Sequence, residues 1–120
     1  MQRDALLLAI ARTDRTFQRA LLPARGVCPP RTAWKGRCLY CDTPIWLELG
    51  GAAITDVSVE HLLPRARGGT DDLRNLALAC SRCNQEKGRR HDASKRSARA
   101  DDVIAAAITR RAERWRDAEE

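Results

Sequence analysis

Apolar positions near the start of the chain, Leu7, Ile10, Phe17 and Leu21, fall near the spacing of one helical face. They predict a helix over residues 2–22, ended by Pro23 and Gly26. The pattern then lapses: residues 23–37 hold Pro23, Gly26, Pro29, Pro30 and Gly36 and read as a linker or irregular arm. It resumes as alternation. Ile45-Trp46-Leu47-Glu48-Leu49 reads as a strand with a turn at Gly50-Gly51. Residues 55–59 read as a second strand, with Val57 and Val59 on one face and Asp56 and Ser58 on the other. Pro64, Gly68-Gly69 and Asp71-Asp72 mark residues 62–75 as a loop. Leu76 and Leu78 alternate in a short strand over residues 76–79. Ser81 is the expected N-cap of a short helix and Gly88 its C′ residue. Residues 89–100 are basic and poor in large apolar groups, an arm or linker. Asp101 or Asp102 caps a last helix, with Ile104, Ile108 and Trp115 marking one face. No internal repeat is visible.

Composition changes this picture in one respect. Only 4% of the 120 residues are aromatic and 32% are charged, so a single domain is expected with a thin apolar core. Such a chain gains from a metal staple. No apolar run approaches the roughly 20 residues that span a bilayer. The longest apolar stretch, residues 5–11, is too short for a signal-peptide core, so a reducing, cytoplasmic setting is expected.

In that setting, the cysteines read as metal ligands. Cys38/Cys41 and Cys80/Cys83 are two CxxC pairs, and four thiolates close a tetrahedral structural zinc site. Cys80 and Cys83 share one side of a helix's first turn, where the dipole favours thiolates. The 38 residues between the pairs imply an inserted β-hairpin that brings them together. A redox role is disfavoured, since neither pair opens a βαβ pattern. Cys28 lacks a close partner and reads as a spare thiol.

Between the pairs lie residues of a different chemistry. Histidine suits the deprotonation of water near neutral pH, while a carboxylate and an amide oxygen suit a hard cation that also takes phosphate oxygens. Glu60, His61 and Asn84 supply those types. Neighbours on a regular strand face opposite ways, so Glu60 and His61 share a site only where the strand ends. Asn84 lies about 100° past Cys83 on its helix, free to face the hairpin while Cys83 faces zinc. The net charge is +6, and residues 61–99 carry ten basic against four acidic side chains. A basic excess beside a candidate site points to a polyanionic partner, nucleic acid first.

The segment Glu60-His61-Leu62-Leu63-Pro64-Arg65, Gly68-Gly69, Asn75-Leu76, Cys80-Ser81-Arg82-Cys83-Asn84 and Lys87-Gly88 resembles the HNH endonucleases. The resemblance covers roughly residues 38–90 and implies an α+β fold: a ββα-metal, treble-clef-like core with a structural zinc, flanked by N- and C-terminal helices. It divides one domain into an N-terminal helix and arm (1–27), a nuclease core (28–92), and a basic linker with a C-terminal helix (93–120). It implies that His61 is the general base, that Glu60 and Asn84 hold a divalent cation, and that Asn75 steadies the loop and orients His61. Cys38, Cys41, Cys80 and Cys83 would bind the zinc. Glu60 stands where aspartate is common, and Asn84 ends the motif where histidine is common; an oxygen ligand tilts preference towards Mg²⁺ or Mn²⁺.

The first expectation is therefore a metal-dependent endonuclease acting on nucleic acid, most directly DNA. Arg65, Arg67, Arg82, Lys87, Arg89 and Arg90 are the expected phosphate contacts. They would give affinity rather than sequence preference. The alternative is a treble-clef zinc module that binds nucleic acid or protein without cutting. A third reading is an adaptor subunit whose terminal helices form the partner surface and whose nuclease core is a relic; separately, those helices are a candidate surface for pairing two copies. His91 belongs to the basic arm, and Trp34, Trp46 and Trp115 read as core or docking residues rather than base-stacking platforms.

Overall fold

The computed structural model describes residues 2–24, 26, 28–90 and 98–118, with the backbone alone for residues 86–90 and 98. Its first helix is half the length that the apolar spacing suggests. Helix α1 spans Arg3–Arg12 and stops at Thr13. The stop is local chemistry: Asp14 Oδ1 accepts from the Thr16 amide and hydroxyl, each at 2.8 Å. Aspartate competes with helical backbone in this way. The chain leaves the turn through the buried Phe17 into strand β1 (Gln18–Leu22), where Leu21 is 65% exposed. Residues 2–22 are thus a helix, a turn and a strand.

Strand β2 (Arg31–Arg37) fills much of the stretch expected to be an irregular arm. Its buried positions are Ala33 and Gly36, too small to register as a hydrophobic period. Gly36 is required there because the Phe17 ring occupies the space of any Cβ. Strand β3 (Pro44–Leu47) pairs antiparallel with β2, placing Trp34 opposite Leu47, and β1 pairs along β2's other edge.

A separate antiparallel pair, β4 (Ser58–His61) and β5 (Leu76–Ala79), sets Glu60 opposite Ala77 and His61 opposite Leu76. Strand β4 lies three residues beyond the expected start at 55, because pairing with β5 sets its ends. The intervening loop contains 3₁₀ turns at Arg65–Arg67 and Leu73–Asn75. Helix α2 (Ser81–Arg90) runs through Gly88, so Gly88 is not a C′ residue. Residues 91–97, with His91 and most of the expected basic arm, lie outside the described residues.

Helix α3 (Ala98–Arg114) begins before Asp101 and Asp102, so neither caps it. Its inward face is Ala100, Ile104, Ala107, Arg111 and Arg114, whereas Ile108 is 44% exposed and Trp115 follows the helix. Among the described residues, no helix is long and apolar enough to cross a membrane.

The main core joins Leu7, Ile10 and Phe17 to Ile45 and Leu47 of one sheet and Leu76 and Leu78 of the other. Each such side chain contributes about 1.5–3 kcal/mol when buried. The largest fully buried side chain, however, is Arg111. Its Nε donates to Leu76 O at 2.8 Å and Nη1 to Thr13 O at 2.8 Å. Nη2 donates to Thr13 Oγ1 at 2.7 Å and to Leu73 O at 3.1 Å. Burial lowers its pKa, and the nearby Asp14 carboxylate opposes that shift. A buried cation is tolerated when its donors are met this fully. One guanidinium thereby ties α3 to the end of α1 and to the start of β5.

Arg111→Met should cost about 3 kcal/mol, since it strips donors from three buried carbonyls. Thermal melting should show a fall of about 10 °C or more. An unchanged melting temperature would mean that α3 is held by other contacts.

Candidate functional site

Two turns converge on the cysteines. Between β2 and β3, Cys38 N donates to Thr43 O at 2.9 Å and Asp42 N to Cys38 O at 3.1 Å. Asp42 closes this knuckle in the left-handed region, at φ 63°. Leu39 N donates to Leu78 O at 3.1 Å, stitching the knuckle to β5. Strand β5 runs straight into α2, so Cys80 and Cys83 arrive beside Cys38 and Cys41. Cys80 N donates to Cys38 Sγ at 3.3 Å, and Cys83 N to Cys80 Sγ at 3.5 Å.

The four sulfurs lie within 4.8 Å of one another. Cys41 and Cys80 Sγ are 3.7 Å apart. A tetrahedron with metal–sulfur bonds of about 2.3 Å has edges of about 3.8 Å. Donor type, number and spacing therefore fit a four-coordinate ion such as zinc. Cys28 is exposed and stands outside the cluster. The thiols differ in their surroundings: the Thr43 hydroxyl, 2.9 Å away, draws Cys41 down to about 6, while burial pushes Cys38 and Cys83 up. A cation that takes all four as thiolates removes that conflict.

Two arginines that the sequence reading missed hold the knuckle from α3. Arg114 Nη1 donates to Arg37 O and Cys38 O, both at 3.3 Å, and Nη2 meets Asp42 Oδ1 at 2.5 Å. Arg110 donates to Tyr40 O at 3.3 Å and to Asp42 Oδ2 at 3.5 Å. The available signal was the helical spacing of Arg114 from Ala107 and of Arg110 from Arg114 on α3.

A second constellation sits at the end of β4. Glu60 is buried at 6% exposure, its Oε1 3.5 Å from Ser58 Oγ. Strand alternation turns His61, the last residue of β4, to the other side and towards the loop. His61 Nε2 lies 2.7 Å from Asp71 Oδ1 and 3.3 Å from Arg65 Nε, and Arg65 Nη2 reaches the same carboxylate oxygen at 3.0 Å. His61 and then Arg65 hold the Asp71 carboxyl below its ordinary range. Asp71, read from the sequence as a turn residue, is thus the partner of His61. No sequence signal announces a contact made across ten residues of loop.

Asn75 closes that loop. Its Oδ1 accepts from Leu63 N at 2.8 Å, and its Nδ2 donates to Leu63 O at 3.2 Å and Thr70 O at 2.8 Å. Gly69 passes so near the Leu63 carbonyl that any Cβ would collide with it. Asn84 is exposed on α2, one residue past Cys83, and α2 packs against β4. The helix bearing Asn84 therefore lies beside the strand bearing Glu60 and His61.

Glu60 and Asn84 are two hard oxygen donors. Among the described residues, no group of three His, Cys, Asp or Glu other than the four cysteines is close enough to cage an ion. Oxygen donors of these types suit a hard cation that also takes phosphate and water oxygens. Of the arginines expected at phosphate, Arg65 is paired with Asp71, and Arg67 is paired with Asp101 at 2.6 Å. Arg67 keeps Nε and Nη1 buried without partners. Arg82 is exposed on α2. The side chains of Lys87, Arg89 and Arg90 lie outside the described residues.

A family model described as HNH endonuclease matches residues 38–98, just over half of the chain. The chain is also 38% identical over 53 residues to the CRISPR-associated endonuclease Cas9 of Corynebacterium diphtheriae. That match covers 43% of this chain and 4% of the relative. No solved structure matches the chain.

Cys80→Ser should remove bound metal and destabilise the fold by on the order of 3 kcal/mol or more, because a structural ligand contributes folding energy directly. Metal analysis with thermal melting checks this. Unchanged metal content and melting would show that the cluster is not a staple.

Proposed function

The chain belongs to the HNH endonuclease family, and from that premise we propose that it is a metal-dependent endonuclease hydrolysing phosphodiester bonds in nucleic acid, DNA foremost. The observation that carries this reading is the meeting of Glu60, His61 and the Asn84 helix at one end of β4, beside a thiol cluster suited to hold them. The relative named an endonuclease agrees with it.

In this reading His61 is the general base. The attacking water takes the position that Asp71 Oδ1 holds 2.7 Å from Nε2. Neutral imidazole accepts the water's proton, the water oxygen bonds to phosphorus, and the bond to the leaving sugar oxygen breaks. Glu60 and Asn84 would hold Mg²⁺ or Mn²⁺, which would supply positive charge against that developing on the phosphate. Asn75 is a positioning residue: it acts through Leu63 and Thr70, which shape the loop over His61. Cys38, Cys41, Cys80 and Cys83 hold structural zinc, within a nuclease core over residues 28–92.

Arg65 exchanges Asp71 for a substrate phosphate, and Asp71, no longer held by Arg65, yields its place at His61 Nε2 to the attacking water. Arg82, Lys87, Arg89 and Arg90 extend the basic surface along α2, while Arg67 braces the loop through Asp101. Contacts of this kind carry affinity and little sequence information.

Supercoiled plasmid with Mg²⁺ or Mn²⁺ tests the reading. Cleavage should stop with EDTA and fall by about 10²–10⁴-fold in His61→Ala, the usual worth of a general base. Metal content and melting should stay unchanged in that variant. Retardation of the plasmid without cutting, by both proteins, would favour the non-catalytic zinc module instead. Affinity should also fall with salt, with a log–log slope of about −0.9 per phosphate contacted. A flat response would remove the phosphate contacts.

A further inference from the structure

Away from the β4 site, α1, β1 and β2 enclose an open cleft of about 470 Å³. None of its lining residues belongs to the cysteine cluster or to the loop over His61. Its walls combine two chemistries. Leu8, Leu49 and the Trp34 indole supply apolar surface, and Arg12, Arg19 and Arg116 supply charge. Among the described residues, no carboxylate lines it.

The arrangement follows from the fold. Leu8 and Arg12 are one helical turn apart on α1, so they share a face. Arg19 stands opposite Trp34 in the β1–β2 register, and its guanidinium lies 5.4 Å from the indole centroid. Arg116 is fixed by main-chain carbonyls: its Nε donates to Arg12 O at 3.0 Å, and its Nη2 to Ala11 O at 3.2 Å and Phe17 O at 2.6 Å. Among the described residues, none of the three arginines forms an ion pair with a carboxylate. Three arginines thus line one cleft with an indole, and among the described residues no carboxylate is paired with them. Trp34 Nε1 is moreover buried without a partner, so the indole is not held by a hydrogen bond of its own.

Against the sequence expectation that Trp34 is not a base-stacking platform, we propose that this cleft binds one nucleotide of an unpaired nucleic-acid strand, with the base against Trp34, Leu8 and Leu49 and the phosphates on Arg12, Arg19 and Arg116. A cavity of this volume suits a small planar ligand with a charged group. A flat ring joined to a phosphate is the ligand that uses both walls, and aromatic–base stacking beside cations is how single strands are held without sequence preference. The proposal rests on the nuclease reading for its substrate class. It adds a second contact with the strand, separate from the cleavage site.

The test uses full-length His61→Ala protein, so that no substrate is consumed, and a fluorescein-labelled ten-residue oligothymidylate read by anisotropy. Adding Arg12→Ala and Arg19→Ala should weaken binding by about tenfold or more, with the melting temperature unchanged. Trp34→Leu should weaken it by about fivefold or more, the lower end of one base stack. Thymidine monophosphate should compete at concentrations where inorganic phosphate does not. Unchanged affinity in the double-arginine variant overturns the proposal, whatever Trp34→Leu does. Equal competition by inorganic phosphate overturns the base-binding part. Plasmid cleavage by the otherwise native protein, measured in parallel, reports on the nuclease reading by itself, so the two can fail separately.

Discussion

The convergence of four thiols within 4.8 Å constrains everything around it. Two small sheets meet there, one ending in the knuckle at Cys38 and Cys41, the other feeding Cys80 and Cys83 into α2. The apolar core that joins these sheets has a single phenylalanine, Phe17, at its centre. Packing alone gives such a core little margin against chain entropy. Four sulfurs so close together are an unfavourable set without a cation and a strongly favourable one with it. Because the cluster sets where α2 begins, it also sets how α2 lies along β4.

Arginine does in α3 what larger hydrophobes do in richer cores. Arg111 gathers the carbonyls of Thr13, Leu73 and Leu76, and Arg114 with Arg110 gathers those of Arg37, Cys38 and Tyr40. Each guanidinium offers several fixed donors, so it satisfies carbonyls at strand ends and turns that no apolar side chain could. The arrangement is directional as well as cohesive: an apolar face tolerates sliding, whereas these bonds allow one register of α3. The last helix is thereby tied to the thiol knuckle through Asp42 and to the β4–β5 sheet through Leu76.

At the end of β4, neighbouring residues face opposite ways. Glu60 points inward and is buried, while His61 points into a loop that Asn75 holds closed. That loop delivers both Asp71 and Arg65 to the same imidazole nitrogen. The proposed base is therefore engaged in an ion network that an incoming phosphate can reorganise, since Arg65 and Asp71 are both exposed and hold each other only in solvent.

The thiol cluster was legible in the sequence, because it depends on spacing along the chain. A CxxC knuckle and a CxxC on a helical turn present paired sulfurs almost irrespective of the rest of the fold. The Glu60-His61 step and the offset of Asn84 from Cys83 follow from strand and helix periods alone. The strand at residues 76–79 was readable for the same reason. What the sequence hid was set by contacts between distant residues. A turn built on Asp14 and Thr16 overrode the helical spacing of Phe17 and Leu21. The strand through Ala33 and Gly36 had no hydrophobic period, since the Phe17 ring claimed the space a larger side chain would have filled. The inward face of α3 contained arginines whose partners lie 35 and 98 residues away, at Leu76 and Thr13. Periodicity reports where a side chain faces on its own element. It says nothing of which carbonyl, ring or carboxylate the fold brings to meet it, and in this chain those meetings placed Asp71 on His61 and α3 on the knuckle.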